Sequence, residues 1–118
     1  MKSLLLLEDD ITYCSVLSRI LEKRYIVYQS NTISEAINIL STKNIDYICS
    51  DYHLSDGTGI QILEYLKNNN ETVPTIIMSA NITNNIEWKA RKFGAVDVIE
   101  KTAWDFLDLI KTNFTIYP

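Results

Sequence analysis

The sequence contains little cysteine, and the two cysteines that it has do not form a disulfide pattern. Cys14 and Cys49 are the only two among 118 residues, and both lie inside predicted helices or strands. Small domains that depend on disulfides have spaced pairs of cysteines, which this chain lacks. We therefore expect two buried, reduced thiols in a cytoplasmic protein.

Positive charge and long apolar segments are also scarce. The chain has 11 basic against 15 acidic residues, which gives a formal net charge of −4. Proteins that bind nucleic acid directly normally have a basic face, so the composition argues against that function. The small basic group Lys89, Arg91 and Lys92 is interpreted as a solvated helix face. The run Leu4–Leu7 is too short for a signal peptide or a membrane span, so no membrane association is expected.

Glycine and proline, which interrupt helices and strands, number only three and two. Apart from a short loop signal at Asn68-Asn69-Asn70, no linker, repeat or low-complexity tract divides the chain. With 47% hydrophobic residues, the chain is long enough to bury a core. We predict one domain that spans residues 1–118.

Short apolar runs alternate with stretches of helical periodicity along the whole chain. The predicted strands are Ser3–Leu7, Tyr25–Gln29, Tyr47–Ser50, Thr75–Met78 and Val96–Ile99. The predicted helices are Ile11–Lys23, Ile33–Thr42, Gly59–Asn68, Asn84–Phe93 and Ala103–Asn113. The middle strands are continuous apolar runs, which is typical where helices cover both faces of a parallel sheet. This pattern predicts an α/β fold with a doubly wound five-stranded parallel sheet in the order 2-1-3-4-5.

Apolar spacing also predicts which face of each helix is buried. In the first helix, Asp10 is the predicted N-cap. The predicted inward residues of this helix are Tyr13, Val16, Leu17, Ile20 and Leu21. Those of the other helices include Ile33, Ala36, Ile37 and Leu40 in the second, Ile86, Ala90 and Phe93 in the fourth, and Phe106, Leu107, Ile110 and Phe114 in the fifth. Trp88 and Trp104 lie outside these stripes of inward residues, so both indoles are expected to be exposed.

Polar residues follow four of the predicted strands at the point where each strand ends. Glu8-Asp9-Asp10 follow the first strand, Asp51 the third, Ser79 the fourth and Lys101 the fifth. In an open α/β sheet, ligands bind outside the carboxyl ends of the strands, where these side chains would meet. Crowded carboxylates repel one another unless a cation lies among them, and hard oxygen ligands favour Mg²⁺. The lysine and the hydroxyl suit a phosphoryl group, so the pattern predicts a site that moves phosphate onto or off a carboxylate.

These four motifs, in this order and spacing, resemble those of response-regulator receiver domains, and the resemblance covers nearly the whole chain. It implies that Asp51 accepts a phosphoryl group from the phosphohistidine of a sensor kinase. It also implies a signalling domain rather than an enzyme, with at most self-phosphorylation and autodephosphorylation activity. Asp9 would ligate Mg²⁺ directly and Glu8 through water, while an Asp51 oxygen and the backbone carbonyl of His53 complete the metal site.

The resemblance assigns the remaining polar residues as well. The Ser79 hydroxyl and the Lys101 ammonium would contact the phosphoryl group, and Asp10 would cap the first helix. The single histidine, His53, is expected to have an exposed side chain. These roles are implied by the family and are not given by the spacing alone.

The chain departs from the family pattern at several positions. Ser55 and Thr58 are tolerable loop changes, whereas Thr102 replaces the usual proline after Lys101. A cis bond costs roughly 2.5–4 kcal/mol without proline. We therefore predict a trans bond at this position, with Thr102 and Asp105 capping the fifth helix. Val98 stands where the family has a switch tyrosine or phenylalanine, so switching by ring rotation is not expected.

The implied partners are a sensor histidine kinase or a phosphotransfer protein. The face formed by helix 4, strand 5 and helix 5, which carries Trp88 and Trp104, is expected to contact a second copy or an output domain. The sequence leaves two alternatives open. The protein is a stand-alone regulator, or it continues beyond Pro118 into a transcription-regulating domain.

Three other functions share part of this pattern. A flavodoxin-like cofactor binder shares the architecture, but Glu8-Asp9-Asp10 would repel the phosphate at its first loop. A phosphatase of the dehalogenase type needs an Asp-x-Asp motif, and Asp51-Tyr52-His53 lacks the second acid. A degenerate receiver that acts as a phosphorylation-independent interaction module stays open, because Val98 and Thr102 depart from the pattern on the output side.

Overall fold

The computed structural model describes all residues, 1–118, as five main strands that alternate with five helices. The strands are β1 (Ser3–Leu7), β2 (Ile26–Ser30), β3 (Tyr47–Asp51), β4 (Thr75–Ser79) and β5 (Asp97–Glu100). The helices are α1 (Ile11–Leu21), α2 (Ile33–Thr42), α3 (Ile60–Asn68), α4 (Asn84–Lys92) and α5 (Phe106–Thr115). A short antiparallel hairpin, His53–Leu54 with Gly57–Thr58, lies between β3 and α3. Every predicted element is therefore present, with small displacements at its ends.

The main strands form one parallel sheet in the order β2-β1-β3-β4-β5, which confirms the predicted topology. Leu7 of β1 is opposite both Ser30 of β2 and Ser50 of β3. Ser79 of β4 is opposite Glu100 of β5. The carboxyl ends of all five strands therefore lie side by side at one end of the sheet.

The sheet separates two helical layers. On one face, Leu4 and Leu6 of β1 pack with α1 and α5, and on the other, Leu5 and Leu7 pack with α2 and α3. This division follows from the alternation of side chains along a strand. Helix α4 packs beside α3 on the second face, around Ile77 of β4. Burying each of these aliphatic side chains contributes roughly 1.5–3 kcal/mol relative to exposure.

The buried face of α1 differs from the prediction. Its buried residues are Cys14, Leu17, Ser18 and Leu21. Val16 and Ile20, which belong to the predicted stripe, are exposed. The small side chains of Cys14 and Ser18 let the helix lie close to the sheet, so the inward face is rotated away from the most apolar one. The predicted cap is confirmed, because Asp10 Oδ1 accepts a hydrogen bond from the Tyr13 amide at 2.9 Å.

The start of α5 also differs from the prediction. Thr102 is exposed and does not cap the helix, which begins at Phe106 after Asp105, whose side chain makes no capping hydrogen bond. The chain first forms tight turns, in which the amide of Ala103 donates to the Glu100 carbonyl at 3.0 Å and that of Phe106 to the Ala103 carbonyl at 3.1 Å. These turns occupy the residues that the predicted Thr-x-x-Asp cap would need. The Lys101-Thr102 peptide bond is trans, as predicted.

The other helix faces largely match the prediction. Their buried residues include Ile33, Ala36 and Leu40 of α2, Ile86 and Ala90 of α4, and Phe106, Ile110 and Phe114 of α5. Leu107 and Phe93, both predicted to face inward, are exposed. Leu107 is next to an inward residue at the start of α5, and Phe93 lies just beyond the last turn of α4. Trp88 and Trp104 are 59% and 94% exposed, as the stripes predicted.

Both cysteines are free and buried, which agrees with the expectation from their spacing. Lys89, Arg91 and Lys92 are all exposed on α4 or at its end. Arg91 pairs with Asp97 at 2.9 Å and more loosely with Glu87 at 3.8 Å. None of the helices combines the length and the hydropathy that are needed to cross a lipid bilayer.

Candidate functional site

Three carboxylates meet at the carboxyl ends of β1 and β3. Asp51 is the last residue of β3, and Glu8 and Asp9 directly follow β1. Their carboxylate oxygens lie within 4.8 Å of one another, with Glu8 and Asp51 buried and Asp9 exposed. The neighbouring parallel strands end side by side, which is why residues so distant in sequence form one group.

Backbone contacts fix the position of Glu8. Its amide donates to the Ser30 carbonyl at 3.0 Å, which extends the β1–β2 ladder by one residue. Its carbonyl accepts from Asn31 Nδ2 at 2.8 Å, and its Oε2 accepts from the Asp10 amide at 3.0 Å. The Glu8 carboxylate is therefore held inward, whereas Asp9, the next residue, remains accessible.

The ammonium group of Lys101 lies between the two buried carboxylates. Nζ donates to Asp51 Oδ2 at 3.0 Å and also forms an ion pair with Glu8 Oε1. The Lys101 amide donates to the Ser79 carbonyl at 2.8 Å, which ties the lysine to the end of β4. Its side chain is only 16% exposed. The protein itself thus places one cation among three acidic groups.

Burial and charge act in opposite directions on the ionisation of these groups. Burial raises the pKa of both Glu8 and Asp51, and the hydrogen bond from Lys101 offsets this only in part. Burial alone would lower the pKa of Lys101, but its hydrogen bonds to Glu8 and Asp51 prevail and the pKa is raised. Three carboxylates face this one ammonium, so the site keeps a negative charge that favours a further cation.

The site opens into a cleft of about 400 Å³. Its walls are formed by Asp9, Asp51, His53, Ser79, Ala80, Asn81, Thr83, Ile86 and Lys101. A larger groove of about 830 Å³ lies at the opposite end of the sheet and contains none of the predicted site residues. The clustered charges, rather than cavity size, identify the smaller cleft as the candidate functional site.

Ser79 is buried at the end of β4. Its hydroxyl donates to the Asn81 carbonyl at 3.0 Å and accepts from the Asn81 amide at 3.4 Å. The hydroxyl itself makes no hydrogen bond to Asp51 or Lys101. In this state the hydroxyl stabilises the start of the β4–α4 loop while still lining the cleft.

His53 lies in the short hairpin after Asp51, opposite Thr58. Its side chain is exposed, and its ring meets the Tyr52 ring edge-on with centroids 4.8 Å apart. The imidazole makes no hydrogen bond to the carboxylates. The residue nevertheless lines the cleft beside Asp51.

The loop after Asp51 is held by contacts that the sequence analysis did not identify. Asp56 accepts hydrogen bonds from the amides of Ile33 at 2.9 Å and Ser34 at 3.2 Å, so it adds a second cap to α2 beside that of Thr32, the N-cap residue. The hydrogen bond from Ile33 lowers the pKa of Asp56. A methyl group added at Gly59 would lie 2.6 Å from the Asp51 carbonyl oxygen, so only glycine fits there.

Tyr13 is a second residue near the site that the sequence analysis did not identify. It was predicted as a core residue of α1, but it is only partly buried. The ammonium of Lys101 lies over its ring, with Nζ 4.9 Å from the ring centroid. No local motif links these two residues, which lie on α1 and after β5 and meet only in the folded chain.

Val98 stands at the position where the resemblance implies a switch tyrosine or phenylalanine. It is buried in β5 and belongs to the cluster formed by α3 and α4. No aromatic ring is therefore available at this position to rotate between two states.

Comparison with known proteins agrees with this architecture. The family model for response regulator receiver domains matches residues 4–112. The transcriptional regulatory protein ZraR of Klebsiella oxytoca is 29% identical over 114 residues, which cover 96% of this chain and 25% of that protein. The chain thus spans about a quarter of the length of this curated relative.

Solved structures show the same fold. The solution structure of the beryllofluoride-activated NtrC4 receiver domain dimer has a TM-score of 0.87 and 29% identity, with 100% of both chains covered. The crystal structure of a response regulator protein from Burkholderia pseudomallei contains a phosphorylated aspartic acid and a calcium ion. It has a TM-score of 0.78 and 19% identity, and the match covers 100% of this chain and 76% of that one.

Proposed function

The chain belongs to the response regulator receiver domain family, and on this basis we propose that Asp51 is the phosphoacceptor of a two-component signalling protein. The observation that carries the proposal is the position of the Asp51 carboxylate. It lies at a cleft with Glu8 and Asp9 within 4.8 Å and the Lys101 ammonium at 3.0 Å. Residues 1–118 would form the receiver domain, whose phosphate comes from a sensor histidine kinase or a phosphotransfer protein.

The donor set fits Mg²⁺. Glu8, Asp9 and Asp51 offer hard carboxylate oxygens close together, and Lys101 neutralises them only in part. Asp9 is accessible and would ligate the ion directly, whereas Glu8, already paired with Lys101, would act through water. An Asp51 oxygen and the His53 carbonyl would complete the protein's share of the ligands. When bound, the ion would supply positive charge for the phosphoryl oxygens.

The proposed reaction moves one phosphoryl group from nitrogen to oxygen. An oxygen of the ionised Asp51 carboxylate forms a bond to phosphorus while the bond from phosphorus to the donor's protonated imidazole breaks. The electron pair of the broken bond stays on the imidazole nitrogen, so the donor leaves as neutral histidine. Asp51 becomes an acyl phosphate, and Lys101 exchanges Asp51 Oδ2 for a phosphoryl oxygen. The Ser79 hydroxyl likewise leaves the Asn81 carbonyl to donate to the phosphoryl group.

Intact mass spectrometry after treatment with acetyl phosphate and Mg²⁺ tests this function. The wild type should gain the mass of one phosphoryl group, and Asp51→Asn should gain none. Asp108→Asn, which changes an exposed acid on α5, is the matched control and should behave as the wild type does. Undiminished uptake by Asp51→Asn, or by wild type in excess chelator, contradicts the assignment. A wild type that takes up no phosphate instead favours a phosphorylation-independent interaction module.

We propose that the output surface is the face formed by α4, β5 and α5. Ser79 leads into α4, and the Lys101 amide is bonded to the Ser79 carbonyl at 2.8 Å, so movement of either residue reaches this face. With Val98 in place of a switch aromatic, the change would run mainly through residues 79–83 and α4. Trp88 and Trp104 are exposed on this side and suit a partner surface.

A second copy of the chain is the partner that the comparisons support best, since the similar NtrC4 receiver was solved as an activated dimer. ZraR is a transcriptional regulatory protein of which this chain covers only a quarter. By analogy, we propose that phosphorylation here controls an output such as transcription, in the cytoplasm and without direct contact between this chain and nucleic acid.

A further inference from the structure

Tyr13 lies beside the proposed phosphorylation site, and no role described above includes it. Its ring centroid is 4.9 Å from Lys101 Nζ. An ammonium over an aromatic face is attracted to the ring quadrupole when the separation is within about 6 Å. Lys101 therefore has three neighbours, namely the Glu8 carboxylate, the Asp51 carboxylate and the Tyr13 ring.

The Tyr13 ring is held through the first turn of α1 and the adjoining core. Its backbone amide donates to Asp10 Oδ1 at 2.9 Å in the first turn of α1. The side chain packs against the core cluster that joins α1 and α5, with its surface partly buried. The Tyr13 hydroxyl makes no hydrogen bond, so it is the ring that meets the lysine. The ring thus provides a surface whose position is set by α1.

Lys101, in contrast, reaches the site by a flexible four-carbon chain from the turn after β5. Its ammonium has three N–H donors, of which Glu8 and Asp51 accept two. When a phosphoryl group arrives at Asp51, the ammonium has to exchange a carboxylate for a phosphoryl oxygen. With carboxylates as its only neighbours, the Lys101 ammonium could move among several carboxylate oxygens. An aromatic ring on one side limits that movement.

We propose that Tyr13 is a positioning residue, whose ring face keeps the Lys101 ammonium between Glu8 and the phosphoryl position on Asp51. This inference rests on the proposed function, because it assigns a means by which the lysine reaches the phosphoryl group. The ring face, and not the phenolic hydroxyl, carries the effect.

Two substitutions at Tyr13 distinguish the effect of the aromatic ring from the effects of the hydroxyl and of apolar packing. Tyr13→Phe keeps the aromatic face, whereas Tyr13→Leu keeps an apolar side chain of fair size without it. Tyr28→Leu is the matched control, because Tyr28 is a partly buried tyrosine that packs on the other face of the sheet. For each variant, NMR would follow the Lys101 side-chain methylene protons without phosphodonor. Mass spectrometry would measure the rate of phosphorylation by acetyl phosphate with Mg²⁺.

The ring should shift the Lys101 methylene signals upfield in wild type, Tyr13→Phe and Tyr28→Leu, and the shift should be lost in Tyr13→Leu. Phosphorylation should be slower in Tyr13→Leu by roughly three- to tenfold, as expected for losing one contact of this kind. The phosphorylation rate of Tyr13→Phe should stay within about twofold of the wild-type rate, because the aromatic face is kept.

Three results overturn the role of Tyr13. They are a Tyr13→Leu variant with wild-type rate, a Tyr13→Phe variant as slow as Tyr13→Leu, and a slow Tyr13→Leu variant whose Lys101 signals have not moved. The last result would assign the loss to packing alone. A wild type that takes up no phosphate, with its Lys101 signals shifted by the ring, overturns the proposed function while leaving the contact itself established.

Discussion

Lys101 and Asp51 are 50 positions apart in the sequence, and their side chains form an ion pair of 3.0 Å at the carboxyl end of the sheet. Because the same ammonium also pairs with Glu8, both buried carboxylates already have a partner. Asp9 has none, and its charge adds to the rise in the pKa of Asp51 that burial mainly causes. The repulsion that remains in the site without a metal ion is therefore best relieved at Asp9.

Asp9→Asn should raise the melting temperature in the absence of Mg²⁺. The substitution removes a charge that repels Glu8 and Asp51 and breaks no hydrogen bond of the Asp9 side chain. The gain should be up to about 1 kcal/mol, or roughly 3–5 °C for a domain of this size. Thermal unfolding with chelator measures the gain. Glu64→Gln, on the exposed side of α3, is the control that should not change the melting temperature.

The same melts with millimolar Mg²⁺ test the metal site. Binding to the native state alone stabilises a protein by about RT ln(1 + [L]/Kd). The wild type should therefore gain stability with Mg²⁺, and Asp9→Asn should gain less. An unchanged melting temperature of the wild type across this range argues against a preformed metal site.

Asp56→Ala should destabilise the protein at neutral pH, because the Asp56 carboxylate caps the start of α2 through Ile33 and Ser34. The expected loss is about 1 kcal/mol, as for other capping residues. Since the Ile33 hydrogen bond lowers the pKa of Asp56, this contribution is fully present above the unfolded-state pKa of about 3.9. It is lost as pH falls through the lower pKa of the folded state.

Urea unfolding of wild type and Asp56→Ala over the acidic range checks this linkage. The difference in the free energy of unfolding should be constant from neutral pH to about pH 5 and should shrink below about pH 4. Glu64→Ala on the exposed side of α3 is the control. A difference that is independent of pH would show that Asp56 does not act through its charge.

Trp88→Ala should weaken self-association of the phosphorylated chain. Trp88 is 59% exposed on α4, and one face of its ring contacts Lys92, with Nζ 4.7 Å from the centroid. Tryptophan is among the residue types enriched in the hot spots near the centre of protein interfaces. Light scattering with and without beryllofluoride would measure the mass of the activated wild type and the variant.

Ile26→Ala is the matched control for this experiment, because Ile26 is a partly exposed apolar residue on β2, at the other edge of the sheet. It should leave the activated mass unchanged. If Trp88→Ala and Trp104→Ala associate as strongly as wild type, the face formed by α4, β5 and α5 is not the dimer contact.

The sheet and the residues at its carboxyl end were predictable from the sequence for a simple reason. Buried parallel strands appear as continuous apolar runs, and side chains that follow such runs must meet at one end of the sheet. This reasoning brings Glu8, Asp9, Asp51, Ser79 and Lys101 to one end of the sheet without any knowledge of the loops. The order of the strands was then predicted from the run of five βα units, because 2-1-3-4-5 is one of the common orders of doubly wound sheets.

The differences between prediction and structure arise where tertiary packing overrides a local rule. Apolar spacing predicted Val16 and Ile20 as inward residues, but both are exposed. The smaller side chains of Cys14 and Ser18 face the sheet instead. Likewise, the cap predicted at Thr102 was displaced by turns after β5. The contacts of Tyr13 with Lys101 and of Asp56 with Ile33 depend on the paths of separate loops, for which the sequence offers no local signal.

The identity of the phosphorylated residue is the central claim, and chemical trapping tests it most directly. Borohydride reduces an aspartyl phosphate to homoserine, so peptide mass spectrometry of the treated protein reports which residue was phosphorylated. After reaction with acetyl phosphate and Mg²⁺, homoserine should appear at position 51 alone, and chelator should abolish it. Homoserine at Asp9 or at another aspartate, or equal labelling of position 51 without Mg²⁺, would contradict the account.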